Sequence, residues 1–447
     1  MMWGVNALNE LTPNLDTKED SKMNSKLNEK INQVMDTTIV VGMDIAKRKH
    51  YATFVDDRGR QLVKAFPVYQ SKAGFDYFYE RVISAMKEFG KTEVLVGIEP
   101  TGHYWLNLFH FLNDHGIPLV MTNPMHVKRS KELDDNLQTK NDQKDALVIA
   151  RLVKDGRFSY PRVLEGMEAE LRVGATLRSN LTEEFGAIKN KMIRWLDRYF
   201  PEFVQVFPTF GKMTLAALEK TPFPTDVTGK EPEALLALYR EIEGMKSPQR
   251  PKAQQLIEAA SSSIGITEGK TMAQREIATL LNRYRQLEKE LDELTLELET
   301  MIQKTPEYEY LSTVPGLGTP TIIDLLSEIG SFSHYRDPRQ LIKLAGLTLR
   351  ENSSGMHKGQ KRISKRGRRK LRALLFRVMM PLIRHNEAFR KLHEYYTTRS
   401  QNPLRKKQSI VVLCGKLLKV LHALCTKQIH FDAKQLMSDS LCLQEAA

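Results

Sequence analysis

Short apolar segments alternate with helical patterns over the first third of the chain. Residues 37–57, TTIVVGMDIAKRKHYATFVDD, contain two runs rich in apolar and β-branched residues, which predict two strands joined by a tight connection at Ala46–Lys49. The patterns that follow predict two more strands, at Val94–Glu99 and Ile117–Thr122, and two helices, at Gly74–Phe89 and His103–His115. Strands that alternate with helices predict an α/β layer fold up to about residue 160.

Helical patterns dominate the chain from about Glu168 onward. The clearest one covers Met272–Gln303, where apolar residues recur at alternating steps of three and four: Ile277, Leu280, Tyr284, Leu287, Leu291, Leu294, Leu298 and Met301. This is the a/d pattern of a self-associating coiled coil, and it is equally typical of one long helix packed on its own domain. Pro306 ends the pattern.

Two segments have no clear pattern. Residues 1–36 lack apolar periodicity and are predicted to form a disordered or loosely helical extension. The stretch Thr221–Pro251 contains several Pro residues and some Lys, and its pattern does not assign it to an element. Residues 431–447 are predicted to be a tail.

A helix-hairpin-helix is predicted at the start of the last helical region. In LSTVPGLGTPTIIDLLSEIG, Gly316 and Gly318 lie between an apolar helix and a second helix that starts at about Thr319. Glycines let such a turn approach a phosphate closely, and the free N–H groups of the second helix can bind that phosphate. An ordinary turn between helices has the same pattern, but the basic residues that follow favour contact with a DNA backbone.

The positive charge of the chain is concentrated in one stretch. The 447 residues include 67 Lys and Arg against 54 Asp and Glu, a net charge of +13. Between Arg350 and Lys407 there are 18 basic and 3 acidic residues, so this stretch carries +15 and the rest of the chain sums to −2. We expect a flexible basic loop followed by an amphipathic helix with apolar positions Leu371, Leu374, Leu375 and Val378. Phosphate contacts are predicted for Lys358, Lys361, Arg362, Lys365, Arg366, Arg368 and Arg369.

Composition narrows the class of protein. With 41% hydrophobic and 27% charged residues, the chain is typical of a soluble globular protein of about two to three domains. No uncharged apolar run approaches the roughly 18 residues of a membrane helix, and the N-terminus is too polar for a signal peptide, so a cytosolic protein is expected. Cys414, Cys425 and Cys442 lack metal-type spacing and are expected to be buried thiols.

Four carboxylates lie where an α/β fold forms its crevice. Asp44 ends the first predicted strand, Glu99 ends the third, and Asp142 and Asp145 share one face at the start of a predicted helix. Strand ends at one edge of a sheet face a common crevice, and clustered oxygen ligands favour Mg²⁺ or Mn²⁺. Two such ions can stabilise the attacking and leaving oxygens of phosphoryl transfer. Each acid alone is also explained as a turn residue or as an acid in the first turn of a helix.

Glycines and serines near these charged residues are further candidates for the functional site. Gly42 and Gly102 leave room for a substrate backbone, although turn chemistry explains them equally well. In the basic loop, Ser354 precedes a glycine, and Ser353 and Ser364 lie nearby. A serine becomes a nucleophile when a base or a metal activates it. The sequence shows no partner base, so spacing alone favours ordinary loop serines.

Taken together, the motifs resemble a known family. GMDIAK at 42–47, IEPTGHY at 98–104, the NP pair at 123–124 and TKNDQKDA at 139–146 resemble the RuvC-like DEDD domain of the bridge-RNA-guided insertion-sequence transposases, which are similar to Piv-type DNA invertases. VPGLG, FSHYRDPRQLIKLAGLTLRENSSG and RISKRGRRKLRALL resemble the C-terminal transposase domain of that family. The resemblance covers residues 37–165 and 306–430.

The resemblance implies a fold and a role for each matching residue. It implies a RuvC-like (RNase H-like) α/β domain at 37–165 and a helical DNA-binding transposase domain at 306–430. The helical patterns between them, which the resemblance does not cover, predict a linker region at 166–305 with the coiled coil at 272–303. Asp44, Glu99, Asp142 and Asp145 fall on the metal-binding tetrad of the family, and Ser354 falls on its nucleophilic serine. In that family, domains of different subunits form composite sites, the serine forms a covalent phosphoserine with DNA, and a noncoding RNA pairs with donor and target DNA.

The sequence therefore predicts a bacterial, cytoplasmic and nucleoid-associated transposase or site-specific recombinase. Its expected partners are donor and target DNA, a bridge RNA, Mg²⁺ or Mn²⁺, and further copies of the chain in a dimer or tetramer. One alternative is a Holliday-junction nuclease that uses the same acids with water as the nucleophile. Another is a noncatalytic nucleic-acid-binding protein with structural acids. The four spaced acids argue against that last alternative, because a pure binder gains nothing from an acidic crevice that faces phosphates.

Overall fold

The computed structural model describes residues 27–134, 142–350 and 362–437, and the backbone of two short strands, Ser353–Ser354 and His357–Lys358. The chain divides into two compact units, Met1–Val163 and Leu164–Ala447. The first is a mixed α/β unit, as the sequence predicts, and the second is mainly helical. Each unit has its own hydrophobic core.

The first unit is built on one sheet, which has six strands in the described part of the chain. These are β1 (Thr38–Asp44), β2 (Lys49–Val55), β3 (Gln61–Tyr69), β4 (Glu93–Ile98), β5 (Leu119–Thr122) and β6 (Phe158–Ser159), in the order β3-β2-β1-β4-β5-β6. β1, β2 and β3 form an antiparallel meander, whereas β4 runs parallel to β1 and β5 runs parallel to β4. The helices of this unit are α1 (Lys72–Glu88), α2 (Leu106–Asp114), α3 (Pro124–Asp134) and α4 (Asp142–Lys154).

Apolar residues cover both faces of the central strands. β1 is buried along its whole length except at Asp44, which is half-buried. One face of the sheet packs against α1 and α2, and the other packs against α4. A strand buried on both faces needs a nearly continuous apolar run, which explains why the sequence of β1 reveals it so clearly.

Two elements of this unit escape the apolar patterns. β3 is an edge strand whose sequence, QLVKAFPVY, alternates poorly, and an edge position tolerates Pro67 because one side of the strand needs no ladder partner. α3 starts at Pro124, the residue type favoured at the first position of a helix, but it contains few apolar residues. Neither element is predicted by periodicity alone.

Gly42 is required by the packing of α4 on β1. A Cβ atom at Gly42 would lie 2.0 Å from the carbonyl oxygen of Ala146 and 2.5 Å from the backbone nitrogen of Ala150. The interpretation of Gly42 as room for a substrate, or as a turn residue, is therefore wrong, because the helix backbone fills that space in the middle of a strand. Gly102, with φ of +56° and Tyr104 as its neighbour, is a turn glycine.

The end of the N-terminal extension packs against the α/β unit. Residues 27–31 form a short helix, and Nζ of Lys30 donates to the carbonyl oxygen of Phe158 at 2.5 Å. The hydroxyl of Tyr160 donates to the side-chain oxygen of Gln33 at 2.7 Å. The predicted boundary at residue 37 therefore falls inside the unit rather than at its edge. The rest of the predicted extension, residues 1–26, lies outside the described residues.

The second unit is assembled from helices of very different length. They are α5 (Gly166–Tyr199), α6 (Phe203–Val206), α7 (Lys212–Lys220), α8 (Pro224–Val227), α9 (Pro232–Arg240), α10 (Arg250–Ser261), α11 (Lys270–Ile302), α12 (Pro306–Leu311), α13 (Thr319–Ile329), α14 (Pro338–Leu344), α15 (Arg369–His385), α16 (Glu387–Thr398) and α17 (Lys406–Lys427). Short strands β7 (Leu349–Arg350), β8 (Ser353–Ser354), β9 (His357–Lys358) and β10 (Arg362–Ile363) lie between α14 and α15.

The heptad positions of α11 pack against α5 of the same chain. Near one end of the pair, a Cβ atom at Gly174 would lie 2.6 Å from Leu298, and near the other end Nε1 of Trp195 donates to the carbonyl oxygen of Ala273 at 2.9 Å. The two helices are therefore antiparallel. Of the two interpretations of the a/d pattern, the structure corresponds to a long helix packed within its own chain.

The stretch that the sequence left unassigned is folded around the end of this helix pair. Helices α7 to α10 bury apolar residues against α5 and α11, with Trp195 and Tyr239 among the largest buried side chains. The hydroxyl of Tyr239 shares a hydrogen bond of 2.8 Å with that of Thr221, and burial raises the pKa of Tyr239 to about 12. This buried pair fixes the start of the stretch to α9.

The C-terminal half of the second unit has a core built around α17. By length and composition this helix could cross a membrane, but half of its most apolar part is buried inside the protein. Cys414, on this helix, is a buried free thiol as predicted, and burial raises its pKa to about 12. Cys425 is only partly buried, and Cys442 lies outside the described residues.

Candidate active site

Asp44 and Glu99 lie at the ends of adjacent parallel strands. Asp44 is the last residue of β1, Glu99 follows the last residue of β4, and the register pairs Met43 with Ile98 immediately before them. Adjacent strands are about 4.8 Å apart, so the two acids are neighbours at one edge of the sheet. Both residues are half-buried. The prediction that the strand ends at Asp44 and Glu99 lie at one edge of the sheet is therefore confirmed.

Asp145 approaches the same edge on α4. The close packing of this helix on Gly42 brings its first turns over the end of β1. Asp145 is buried, with 8% of its surface exposed, and its Oδ2 lies 2.5 Å from Nζ of Lys131. Asp142 is the first residue of α4, and its side chain lies outside the described part of the structure.

The carboxyl group of Glu99 responds to both of these charges. Burial raises its pKa above the ordinary value, the ammonium of Lys131 opposes this rise, and the carboxylate of Asp145 adds to it. Glu99 and Asp145 are therefore close enough to interact electrostatically, with one lysine compensating both. An acidic pair that already attracts a cation fits a divalent metal with oxygen ligands. Among the described side chains, no group of three His, Cys, Asp or Glu residues is arranged closely enough to hold a metal ion.

A buried histidine connects the segments that follow the two strand-end acids. Nδ1 of His50 accepts a hydrogen bond from the backbone N–H of Ala46 at 3.1 Å, so Nε2 carries the proton and donates to Gln70 at 2.5 Å. The amide nitrogen of Gln70 then donates to the carbonyl oxygen of Tyr104 at 2.9 Å. Ala46 follows Asp44 and Tyr104 follows Glu99, so this chain of contacts fixes one loop to the other. Sequence reasoning missed it, since nothing in the pattern pairs positions 50, 70 and 104.

The predicted serines fall in two different settings. Ser353 and Ser354 form β8, and the register pairs the backbone of Ser354 with that of His357 in β9. Ser364 is engaged elsewhere: its hydroxyl accepts a hydrogen bond from that of Thr348 at 3.0 Å, and its N–H donates to the carbonyl of Thr348 at 2.7 Å. His357, the titratable residue that pairs with Ser354, was not identified as a candidate from the sequence. It lies three residues after Ser354, a spacing that fits two short paired strands.

The predicted phosphate contacts are only partly described. Lys361 lies outside the described residues, and of Lys358 the backbone alone is described. Arg362, Lys365, Arg366 and Arg369 are exposed.

Arg368 differs from these exposed residues, because its guanidinium lies 3.4 Å from Glu328 and its N–H donates to the carbonyl of Leu344 at 2.7 Å. It has a structural role whatever else it contacts.

Gly316 and Gly318 lie between α12 and α13, as predicted. Gly316 has φ of +93°, and a Cβ atom there would lie 3.3 Å from the backbone of both Pro381 and Leu382 on α15. The fold itself therefore needs this glycine, independently of any phosphate. Gly318 precedes the first residue of α13 and is exposed, with no close neighbour at its Cβ position other than Pro320. Contact with a DNA backbone stays a prediction for both glycines.

Comparison with protein families identifies two matching regions. A family model described as a transposase, whose name specifies the DEDD type of IS110, matches residues 41–201. A second model, described as the transposase IS116/IS110/IS902 family, matches residues 308–394. The first region contains Asp44, Glu99, Asp142 and Asp145, and the second contains Ser354 and the basic segment up to Lys391.

Curated relatives match the chain in part or over most of its length. The pilin gene-inverting protein of Moraxella lacunata is 31% identical over 150 residues, which are 32% of this chain and 46% of that protein. The chain thus spans about half the length of the pilin gene-inverting proteins that it matches. The transposase for insertion sequence element IS1111A of Coxiella burnetii is 22% identical over 395 residues, 87% of this chain and 90% of that protein. An uncharacterized 44.8 kDa protein of insertion element IS116 from Streptomyces clavuligerus is 22% identical over 391 residues, 86% of this chain and 94% of that protein.

Proposed function

Because the chain belongs to the IS116/IS110/IS902 transposase family, we propose that it is an insertion-sequence transposase that cleaves and joins DNA strands by phosphoryl transfer. One observation carries the proposal: Asp44 and Glu99 end adjacent parallel strands, and Asp145 is near enough to Glu99 to affect its pKa. An acidic edge of this kind suits phosphate chemistry only if cations neutralise it. The family of the second unit, with its basic segment, supports DNA as the substrate.

The first unit is the proposed RuvC-like domain. Its antiparallel meander followed by parallel strands, with α4 crossing the strands that end in acids, supports this description. Asp44, Glu99, Asp142 and Asp145 would hold Mg²⁺ or Mn²⁺. When bound, the metal supplies positive charge that stabilises negative charge developing on the phosphate.

Ser354 is the proposed nucleophile. Its Oγ would attack the phosphorus of a DNA phosphodiester, so that an Oγ–P bond forms and the bond from phosphorus to one deoxyribose oxygen breaks. That oxygen leaves with the electron pair of the bond and takes a proton from water to become a hydroxyl. The serine proton needs an acceptor. We assign this role to His357, which pairs with Ser354 in the register of β8 and β9. The engagement of Ser364 with Thr348 supports Ser354 over Ser364 as the nucleophile.

The basic residues of the same segment are the proposed nucleic-acid-binding surface. Lys358, Lys361, Arg362, Lys365, Arg366 and Arg369 belong to the stretch that carries a charge of +15. Positive charge of this density binds phosphates with strong salt dependence. The turn at Gly316 and Gly318 is the proposed helix-hairpin-helix that adds a contact to the DNA backbone.

We further propose the partners that the family resemblance implies. These are donor and target DNA, a noncoding bridge RNA, and further copies of the chain in a dimer or tetramer. If an RNA selects the sites, base pairing supplies the sequence specificity, and the protein contacts mainly shape and charge. The proposed location is the bacterial cytoplasm at the nucleoid, where the DNA substrate is found.

Trapping of a covalent DNA adduct tests the reaction. The full-length protein is incubated with Mg²⁺, copurified RNA and a plasmid carrying the ends of the element, and adducts are resolved on a denaturing gel. We expect an adduct and recombinant plasmid with the wild type, neither with Ser354→Ala, and neither with Asp145→Asn. The matched control is Ser353→Ala, which removes the neighbouring hydroxyl and should retain both products.

Other outcomes of this experiment would indicate a different function. Strand cutting that persists in Ser354→Ala without any adduct would indicate a nuclease that uses water. Tight, salt-sensitive DNA binding without strand chemistry under any metal would indicate a binding protein with structural acids. Recombination that survives in both Ser354→Ala and Asp145→Asn would refute the mechanism.

A further inference from the structure

Lys131 is a cation that already lies at the proposed metal-binding carboxylates. Its Nζ is 2.5 Å from Oδ2 of Asp145, and its charge also acts on Glu99, which belongs to a different element. An ordinary salt bridge between two helices joins one acid to one base. Here a single ammonium compensates a helix carboxylate and a strand-end carboxylate together.

The position of Lys131 is built into α3. Val127, one helical turn before it, is fully buried in a cluster with Val148, Ile149 and Leu152 of α4. Residues four apart share one face of a helix, so Lys131 also faces α4. Asp145 lies about one turn before Val148 on that helix. The antiparallel packing of α3 and α4 therefore directs the ammonium to the carboxylate.

The lysine can leave this position without unfolding anything. Its side chain is 37% exposed, whereas that of Asp145 is 11% exposed, so the ammonium reaches into the site from a stem that lies partly in solvent. The stem of a lysine has four flexible carbon atoms and ends in a compact charge. A rotation of the stem moves the charge into solvent while Val127 keeps α3 in place.

Lys131 neutralises only part of the negative charge of Glu99 and Asp145. Glu99 and Asp145 carry two negative charges when both are ionised, against one positive charge from the lysine. A divalent cation neutralises such a pair completely and binds the same oxygen lone pairs. The ammonium and the metal also repel each other at short distance, so both cannot occupy the oxygens of Asp145.

We propose that Lys131 is a tethered counter-ion that occupies the carboxylate site until a divalent cation binds and then moves off Asp145. The proposal rests on the proposed function, since it takes these carboxylates to be the metal ligands. Lys131 offsets part of the negative charge of the acidic edge in the metal-free protein. It also lowers the metal affinity, because each metal ion that binds must break the ion pair.

Equilibrium binding of Mn²⁺ to the full-length protein tests this role without measuring activity. The free ion is quantified by its electron paramagnetic resonance signal. Lys131→Met keeps a similar stem and removes the charge, and we expect its Kd for Mn²⁺ to fall by roughly two- to fivefold, the range that partly exposed ion pairs contribute. Lys131→Arg retains the charge and should bind Mn²⁺ no more tightly than the wild type does.

Lys128→Met is the matched control. Lys128 is exposed on the same helix, so its loss changes the net charge equally but leaves Asp145 paired. Its Kd should change by less than about twofold, since distant exposed charges are screened. An unchanged or higher Kd in Lys131→Met would overturn the proposal. If that variant does not fold, as judged by its thermal unfolding, Lys131→Gln takes its place with the same expectations.

Asp145→Asn separates this inference from the proposed function. If Asp145→Asn weakens Mn²⁺ binding but Lys131→Met does not tighten it, the carboxylates bind metal and the lysine is only a structural partner. If Asp145→Asn leaves Mn²⁺ binding unchanged, the assignment of the metal site itself is wrong.

Discussion

The backbone N–H of Ala46 donates a hydrogen bond of 3.1 Å to Nδ1 of His50. The imidazole is completely buried and stacks on Phe75 at a centroid distance of 6.3 Å. Because this contact and the contacts through Gln70 fix the loop after Asp44 to the loop after Glu99, His50 is expected to position both acids. The neutral imidazole is required, since a protonated ring has no lone pair to accept from Ala46.

Replacing His50 by alanine should destabilise the α/β unit. The change leaves a cavity and removes the partners of the Ala46 N–H and of Gln70, which together cost about 2–4 kcal/mol in free energy of unfolding. Hydrogen exchange measured by mass spectrometry should show faster exchange at 44–50 and 99–104. His126→Ala removes an exposed histidine of the same unit and should leave these rates unchanged. Equal exchange in both variants would show that the contacts do not hold the loops.

The stability of this unit should fall as the pH falls below about 6.5. Burial lowers the pKa of His50 below its ordinary value of 6.5, while Gln70 opposes the shift. The unfolded chain therefore binds a proton that the folded chain does not, and stability is lost as pH decreases from 6.5 through the folded pKa. His50→Asn lacks this proton, so its loss of stability between pH 7 and pH 5 should be smaller than that of the wild type. Parallel losses in urea unfolding of the two proteins would contradict the assignment.

Gly42→Ala should disrupt the packing that brings Asp145 to the acidic edge. The new Cβ would meet the backbone of Ala146 and Ala150, which cannot move without shifting α4, so we expect a loss of about 3 kcal/mol or more. Gly186→Ala is the contrasting variant, since its Cβ position in the middle of α5 has no neighbour within 4 Å in the described structure. That change should stabilise the protein by about 0.5–1 kcal/mol. Thermal unfolding compares the two variants.

Ser364→Ala should separate the structural serine from the proposed nucleophile. The change removes the hydrogen bond with Thr348 and should cost about 1 kcal/mol in stability. The covalent DNA adduct should still form at a rate close to that of the wild type. An adduct that disappears in Ser364→Ala but persists in Ser354→Ala would reverse the assignment of the two serines.

His357→Ala should slow adduct formation without abolishing DNA binding. A general base contributes about 10²- to 10⁴-fold to a rate, and the loss should be smaller at high pH, where the serine proton is removed more easily. Single-turnover adduct formation at several pH values measures this. His385→Ala, an exposed histidine at the end of α15, serves as the control. A rate that His357→Ala leaves unchanged at every pH would exclude the histidine as the base.

Patterns along the chain predict strands that are buried on both faces and helices that have one continuous apolar face. β1, β2, β4, α1, α4 and α11 follow from apolar runs or periodicity, because burial of those residues depends on the local backbone geometry. The motifs around Asp44, Glu99, Asp142, Asp145 and Ser354 likewise carry the family resemblance, which the family models confirm. β3 and α3 were missed because an edge strand and a short amphipathic helix need few apolar positions of their own.

Only the tertiary structure shows which residues position the side chains of these motifs. Three findings depend on contacts between residues in different elements of the fold. Gly42 makes room for α4 rather than for substrate, His50 connects two loops through Gln70, and Lys131 forms an ion pair with Asp145. The same holds for α11, whose heptads pack against α5 rather than requiring a second chain. Periodicity specifies which face of an element is apolar, whereas the identity of the partner is set by how the elements fill the core together.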